Sequence, residues 1–162
     1  MENNEVVITH TLYDTSGAVA LKFEAPTLRE GLQHLVLTGV DLSGIVLTDQ
    51  DLRGIILLGA ILGGAKFQDC LFDGAVMPGA YMEGVEVTQC SFRGADLRGI
   101  DAPFSRWEHV EAAGADASGA SFYHSTMSCV SWRGARLDGA NMLEVEKDDT
   151  NTNGASCFGV AA

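Results

Sequence analysis

Four histidines and four cysteines are the residues of this 162-residue chain best suited to bind a metal or to act in catalysis. Their spacing matches no Ser/His/Asp triad, no Cys/His nucleophile pair, no HExxH helix and no zinc finger. The 19 glycines form neither a GxGxxG motif nor a Walker phosphate-binding loop. We therefore expect no catalytic residue, no metal and no cofactor, and we expect that the protein is not an enzyme. The residues are His10, His34, His109, His124, Cys70, Cys90, Cys129 and Cys157.

A five-residue period dominates the chain. From Val36 it divides into 25 blocks of five residues without an insertion, ending at residue 160. The second residue of each block, from Leu37 onward, is apolar in all but Lys147 and Thr152. We expect these apolar residues to point inward, with Leu52, Phe72, Phe92 and Trp132 stacked along one inner edge, and we expect the regular core to fray near residue 145. Five residues advance about 500° around an α-helix, which would scatter the apolar positions. The pattern instead favours short strand segments joined by glycine-containing corners.

These blocks resemble those of the pentapeptide-repeat family, whose consensus block is A(D/N)LXX. ADLRG at 95–99, ADASG at 115–119 and ANMLE at 140–144 match it. The resemblance implies an all-β fold, a right-handed quadrilateral β-helix in which four blocks complete one square coil. The sequence shows a 20-residue superperiod as well, because other residues replace the glycine at the fourth position of a block at that spacing. These residues are Asp49, Asp69, Gln89, His109, Cys129 and Asp149.

The chain is predicted to consist of an N-terminal cap, residues 1–35, and the β-helix, residues 36–162. The cap begins with two apolar, β-branched segments at 5–12 and 18–24. The polar residues between them, 13–17, include a glycine and are typical of a turn. We therefore predict a β-hairpin at the start of the chain.

A short α-helix is predicted to complete the cap. Thr27 and Glu30 form a capping box, a common start of a helix, and we expect the helix to end at about Leu35. Leu28, Leu32 and Leu35 would then lie against the first coil. They would cover the open edge that a solenoid leaves at its terminus.

Two pairs of possible metal or redox residues are 20 positions apart and should stack. His109 and Cys129 would occupy neighbouring corners, where they could begin a metal site, although exposed corner residues are the better interpretation. Cys70 and Cys90 would point inward, where a thiol behaves as a small apolar group. We interpret them as core residues, with a redox pair as the alternative.

The formal net charge of −12 restricts the partners of this protein. Nucleic acid and anionic membranes would repel it, so direct binding to either is not expected, whereas a basic partner is favoured. No apolar run approaches the roughly 20 residues that span a bilayer, and the first residues do not form a secretory signal. We expect a cytoplasmic protein.

The negative charge concentrates on two of the four faces. We name the faces A, B, C and D after the blocks that begin at residues 41, 46, 51 and 56 and at every twentieth residue thereafter. Face A has four carboxylates and no Lys or Arg, and face B has seven carboxylates against three basic residues, whereas faces C and D are close to neutral. The candidate partner-binding residues are Asp41, Glu83, Asp101 and Glu144 on face A and Asp49, Asp69, Glu86 and Glu108 on face B.

The resemblance adds a function to this acidic surface. Several pentapeptide-repeat proteins, including the Qnr quinolone-resistance proteins and the mycobacterial MfpA, are acidic rods that occupy the DNA groove of type II topoisomerases. It therefore implies a DNA mimic, a monomer or homodimer that inhibits a DNA-binding complex by entering its basic groove. The target would be a topoisomerase such as DNA gyrase, or a CRISPR surveillance complex, which a phage- or prophage-encoded anti-CRISPR protein would meet in a bacterial cell.

A non-catalytic interaction scaffold is the alternative function. Apolar residues occupy outward positions near the start of the repeats, where Asp or Asn is usual in the family. Contiguous exposed apolar area tends to mark an interface. We therefore expect the cap, a second copy of the chain or the target to cover it. The candidate residues are Val36, Ile56, Leu58, Ile61, Leu71 and Val76.

Overall fold

A computed structural model describes residues 7–161 as a hairpin and a helix followed by a β-helix. The predicted fold class, an all-β quadrilateral β-helix with an N-terminal hairpin-and-helix cap, is confirmed. One eight-stranded sheet has the order β2-β1-β3-β4-β5-β6-β7-β8. The elements are β1 (Ile8–Asp14), β2 (Val19–Ala25), α1 (Leu28–Leu37), β3 (Ile45–Thr48), β4 (Lys66–Gln68), β5 (Glu86–Thr88), β6 (Arg106–Glu108), β7 (Thr126–Ser128) and β8 (Glu146–Asp148).

Each face of the β-helix is a stack of short extended segments, one from each coil. On face B these segments are the parallel strands β3 to β8, which pair in register at intervals of 20 residues. On the other faces, single parallel bridges join residues 20 apart, such as Asp51 with Leu71 on face C and Ile56 with Val76 on face D. The coils therefore rise by about 4.8 Å each, the spacing of hydrogen-bonded strands.

The second residues of the blocks form the core. They are buried from Leu42 to Met142. Leu52, Phe72, Phe92 and Trp132 were predicted to stack along one inner edge, and all four are buried on face C. The rings of Phe72 and Phe92 lie parallel with centroids 4.8 Å apart. This prediction is confirmed.

Trp107 shows how the narrow interior accommodates a large side chain. Its coil has Ala102 and Ala112 at neighbouring inward positions, so the total volume of the layer is conserved as close packing requires. The Trp107 Nε1–H donates to Ser105 Oγ over 2.7 Å, and Ser105 Oγ lies 2.9 Å from Ser125 Oγ. Ser105 therefore satisfies the indole N–H, and Ser125 bonds Ser105, inside an otherwise apolar core.

The two inward cysteines lie in the core, as predicted. Cys70 and Cys90 are both buried, and the Cys70 N–H lies 3.4 Å from Cys90 Sγ. The hydrogen bond with Cys70 and burial raise the pKa of the Cys90 thiol. Cys90 therefore remains protonated, as expected of an unreactive core residue.

The predicted hairpin is present, with its first strand ending two residues later and its second strand lying one residue later than predicted. β1 continues to Asp14, whose carboxylate accepts the N–H groups of Ser16 and Ala18 and so closes a tighter turn. Residues 5 and 6 of the predicted first strand lie outside the described residues. The end of β1 pairs antiparallel with β3, Tyr13 opposite Val46, and covers the first edge of face B.

Helix α1 is longer than predicted and changes the start of the β-helix. It continues through Leu37, which is 82% exposed, so the prediction that Leu37 points inward is wrong. Gly39, with φ of 75°, donates to Val36 O, and Val40 N–H donates to Leu35 O. This is a Schellman motif, which ends a helix with a glycine in the left-handed region. The first block, residues 36–40, is therefore a helix end, and the coils begin at residue 41.

The helix covers the first coil with apolar and polar contacts. Leu32 is buried in the core, and the predicted contacts of Leu28 and Leu35 with it are also present. Arg29 Nη2 donates to the carbonyl of Gly54 over 3.2 Å, and Gln33 Oε1 accepts the N–H of Ile56 over 3.1 Å. These side chains satisfy edge groups that have no preceding coil. At the start of the helix, the Thr27 hydroxyl accepts the N–H of Glu30 over 3.1 Å, as predicted for the capping residue.

The last coil is regular in its backbone but not in its core. The bridge between Asn141 and Ala161 continues the face A ladder. Burial of the inward residues ends at Met142, and Lys147 and Thr152 are exposed. The predicted fraying of the core near residue 145 is therefore confirmed, and the backbone coil continues past it.

The two buried tryptophans allow a matched test of the buried hydroxyl pair. The Trp132 Nε1–H is buried and has no hydrogen-bond partner among the described residues, whereas Trp107 donates to Ser105. We expect Trp107→Phe to lower the free energy of unfolding by about 1 kcal/mol more than Trp132→Phe, because only the first loses a hydrogen bond. Urea unfolding of both variants measures the difference. An equal loss in the two variants would show that the Ser105 hydrogen bond adds no stability.

Candidate partner-binding surface

The outward positions of each block are the first, the third and the fourth, which is the corner. The corner backbone is left-handed, and most corners are glycine, such as Gly84 with φ of 64°. Non-glycine residues at corners also have positive φ, for example Asp49 at 56° and Asp69 at 53°. Such residues lose roughly 1 kcal/mol relative to glycine, and their side chains point to solvent. Corners therefore display side chains at a cost to the fold.

On faces C and D the acidic side chains have partners within the chain. Five of the six carboxylates form ion pairs with arginines of the same faces. The sixth, Asp73, accepts the backbone N–H of Arg93 over 2.9 Å and the hydroxyl of Ser91. The charges of these two faces thus cancel locally. The ion pairs are Asp51–Arg53, Asp96–Arg98, Glu111–Arg93, Asp116–Arg136 and Asp138–Arg136.

On face A the candidate carboxylates have no lysine or arginine partner in the described part of the chain. Hydrogen bonds from Ser43 hold the pKa of Asp41 below its ordinary value. One of them joins the Ser43 N–H to Asp41 Oδ1 over 2.8 Å. The Tyr81 hydroxyl donates to Glu83. Both contacts leave the carboxylate charge in place. Face A therefore presents uncompensated negative charge.

On face B the structure narrows the candidate set. Lys66 Nζ lies 2.9 Å from Glu86, and Arg106 lies 2.6 Å from Glu108, so both carboxylates are locally neutralised. The hydrogen bond from Arg106 also lowers the pKa of Glu108. In the described part of the chain, six candidate carboxylates form no ion pair with a Lys or Arg: Asp41, Asp49, Asp69, Glu83, Asp101 and Glu144. From the first to the sixth coil, they span about 24 Å of the rod at about 4.8 Å per coil.

Part of the predicted apolar strip is exposed on face D and the start of face A. Ile56 is 50% exposed and Leu58 is 62% exposed. Val76 stacks on Ile56, and Ile61 follows around the next corner. Gln33 of the cap bonds the backbone of Ile56 but leaves its side chain half exposed. The cap therefore does not cover Ile56 and Leu58, and a second copy of the chain or the target remains the predicted cover.

Two members of the predicted strip lie elsewhere. Leu71 is on face C, where its bridge partners are the polar residues Asp51 and Ser91, so it lies outside the face D stack of Ile56 and Val76. Val36 belongs to α1 and packs partly buried against the core. The name apolar strip is therefore kept for Ile56, Leu58, Ile61 and Val76.

An exposed aromatic cluster on the corner between faces A and B was not predicted. Phe104 and His124 stack with ring centroids 5.5 Å apart and planes 11° apart, and Tyr123 lies edge-on to His124 at 4.2 Å. Phe104 is 57% exposed. We call Phe104, Tyr123 and His124 the aromatic cluster. The signal in the sequence was the replacement of the corner glycine by Phe104, His124 and Glu144 at 20-residue spacing.

Within residues 7–161 no group of three or more His, Cys, Asp or Glu side chains is arranged to hold a metal ion. His109 and Cys129 occupy neighbouring left-handed corners as predicted, and Cys129 Sγ lies 3.9 Å from the carboxylate of Asp149. In the same residues, no helix is both long and apolar enough to cross a bilayer.

The Asp51–Arg53 pair predicts a pH-dependent stability. Hydrogen bonds from Arg53 lower the pKa of Asp51 from 3.8 to about 2. The unfolded chain therefore takes up a proton at higher pH than the folded chain, and the stabilisation from this pair is present above about pH 4 and lost as the pH falls through about 2. We expect the melting temperature of Asp51→Asn to be lower than that of the wild type at pH 6 and equal to it near pH 2. A difference that does not change with pH would contradict this role.

The repeats in this chain match repeats in known proteins. A family model described as pentapeptide repeats, in eight copies, matches residues 32–69 and 60–99. A search among curated protein sequences found no match. Solved structures of similar fold include trypsin-treated QnrB1, a plasmid-mediated fluoroquinolone resistance protein, which is 23% identical over 75% of this chain and 74% of that chain, with a TM-score of 0.47.

Two further similar structures come from photosynthetic organisms. A pentapeptide-repeat protein of the Arabidopsis thaliana thylakoid lumen is 25% identical over 75% of this chain and 74% of that chain, with a TM-score of 0.38. Rfr23, a pentapeptide-repeat protein of the cyanobacterium Cyanothece 51142, is 16% identical over 83% of this chain and 99% of that chain, with a TM-score of 0.35.

The five-residue period continues beyond the residues that the family model matches. Blocks after residue 99 keep the same inward and outward alternation, the same left-handed corners and the same bridges 20 residues apart, up to Ala161. The pentapeptide repeats that the family model matches at residues 32–99, and the coil geometry that continues to Ala161, therefore agree with the predicted resemblance to the pentapeptide-repeat family.

Proposed function

We propose that this protein acts by binding, without catalysis, in the basic DNA-binding groove of a protein or ribonucleoprotein, where it competes with DNA. The asymmetry of its unpaired charge supports this proposal best. Five of the six carboxylates of faces C and D are ion-paired within the chain. The six candidates on faces A and B have no such Lys or Arg partner within residues 7–161: Asp41, Asp49, Asp69, Glu83, Asp101 and Glu144.

The dimensions of the acidic surface suit such a groove in part. B-DNA carries one charge per about 1.7 Å of its axis, so about 24 Å of duplex carries roughly 14 phosphates. The acidic surface has fewer charges, but they lie on the side that a groove would contact. Long-range attraction between this surface and a basic groove would make association fast and sensitive to salt.

Two target classes hold DNA in a basic groove and are proposed for testing. One is a type II topoisomerase such as DNA gyrase, and the other is a CRISPR surveillance complex. An inhibitor of either would act in the cytoplasm of a bacterial cell, and inhibition of the second would suit a phage- or prophage-encoded protein. Competition with DNA for each complex distinguishes between these targets.

Charge reversal in a cluster tests the acidic surface. We expect the triple variant Asp41→Lys, Glu83→Lys and Asp101→Lys to bind the target about tenfold or more weakly. Each exposed pair contributes at most about 1 kcal/mol, and reversal replaces three attractions by three repulsions. The measurement is inhibition of DNA binding by purified gyrase and by a purified surveillance complex, at low and at physiological salt.

The matched control reverses three carboxylates on the other faces: Asp73→Lys, Glu111→Lys and Asp138→Lys. It changes the net charge by the same amount as the first variant. Thermal unfolding of both variants checks that each is folded. Equal inhibition by the two variants, or a wild type that DNA does not displace from either complex, would rule out the proposed function.

A neutral interaction scaffold is the second candidate, because the apolar strip remains exposed on the folded chain. Ile56 and Leu58 are at least half exposed, on a face whose charges are paired. Such a surface favours a partner that buries apolar area rather than a basic groove. The partner would then approach face D rather than face A.

The double variant Ile56→Asp and Leu58→Asp tests the scaffold. If the strip is the interface, partner binding or self-association measured by analytical ultracentrifugation should be lost, because two charges would be buried against apolar surface. Leu71→Asp, an outward apolar residue on face C, is the control. An unchanged sedimentation profile and unchanged target binding would leave the scaffold without support.

A further inference from the structure

The aromatic cluster occupies positions at which neither packing nor backbone preference requires an aromatic residue. The three preceding corners of this column are Gly44, Gly64 and Gly84, all with positive φ. Phe104 then adopts a φ of 56°, an uncommon conformation for a bulky residue, and exposes 57% of its surface. A strained residue that is also exposed is a reason to look for a function.

The neighbours of the cluster are carboxylates. The ring of His124 stacks on the ring of Phe104, which belongs to the preceding coil. His124 Nδ1 lies 3.5 Å from the carboxylate of Glu144, which occupies the corner in the following coil. Asp101 belongs to the same block as Phe104. Glu83 lies in the coil before that of Phe104, at the third position of its block, which is also the position of Tyr123 two coils later. The stacked rings are thus bordered by negative charge above and below along the rod.

The arginine nearest in sequence to the aromatic cluster does not supply it with a cation. Arg106, two residues after Phe104, is paired with Glu108 over 2.6 Å on face B. No lysine or arginine of the chain lies on face A itself. The rings and carboxylates therefore present the two halves of a guanidinium site, a flat π surface and adjacent oxygen acceptors, with no internal guanidinium on that face.

We propose that the aromatic cluster, with Glu144, is the docking site for an arginine side chain of the partner. This inference rests on the proposed function, since a basic DNA-binding groove supplies the arginine. A guanidinium is flat and weakly hydrated, so it stacks on a ring while its N–H groups reach carboxylates. An ammonium group is a compact, strongly hydrated charge and fits this arrangement less well. The site selects arginine over lysine.

The preference is tested with two short probes of equal charge, acetylated tri-arginine amide and tri-lysine amide. Their binding to the full chain is followed by NMR through the ring signals of Phe104, Tyr123 and His124. We expect tri-arginine to shift these signals and to bind about three- to fivefold more tightly than tri-lysine. Equal affinity for the two probes, or shifts confined to other parts of the surface, would overturn the proposal.

Phe104→Gly separates this role from folding. It restores the glycine of the preceding corners, so we expect an unchanged or higher melting temperature. It also leaves the net charge unchanged. We expect the arginine preference to disappear in this variant and to persist in the control Phe158→Ala, which removes another exposed aromatic residue. If Phe104→Gly retains the arginine preference, the proposal is wrong.

Competition with DNA for the target distinguishes the two proposals. A Phe104→Gly variant that inhibits DNA binding as well as the wild type, together with an unselective peptide titration, would eliminate the arginine site and leave the acidic surface as the binding determinant. A wild type that does not compete with DNA would eliminate the proposed function. In that case an arginine-selective titration would still support the arginine site on its own.

Discussion

The fixed cross-section of the 20-residue coil is the constraint on which the rest of this structure depends. Each coil stacks in register on the next, so each inward side chain must fit a layer about 4.8 Å thick between two others. Trp107 is possible because Ala102 and Ala112 share its layer. The buried Ser105 and Ser125 are possible because they bond each other and because Ser105 also accepts the Trp107 indole N–H. The interior is therefore committed to packing, and any binding chemistry is confined to outward and corner positions.

Outward positions are free of that constraint, so the ion pairing of their charges can differ from one face to another. On faces C and D, pairs such as Asp96 with Arg98 lie within one block, and Asp116 with Arg136 joins two coils. The same arrangement was available to face A, where the outward positions have the same geometry. Its carboxylates Asp41 and Asp101 have no such partner in the described chain. The acidic surface is consequently not a by-product of the coil geometry.

Much of this could be predicted from the sequence, because the register never shifts and each inward position repeats every five residues. Lys66 and Glu86 are 20 positions apart, so even their ion pair follows from the superperiod. The end of α1 could not be predicted, since Gly39 fits both a block corner and a helix C-terminus, and only the packing of Val36 decides between them. The stacking of Phe104 on His124 was equally hidden, because side-chain rotamers at a corner do not follow from spacing.

The cap leaves face A open while it closes the first edge of the other faces. β1 pairs with the edge of face B, Arg29 bonds Gly54 on face C, and Gln33 bonds Ile56 on face D. Asp41, at the start of face A, is exposed beside these contacts. Among the described residues, no capping element therefore separates the carboxylates of face A from the aromatic cluster. The contacts that protect the first edge thus lie on faces B, C and D, and face A, which we propose binds the partner, stays uncovered.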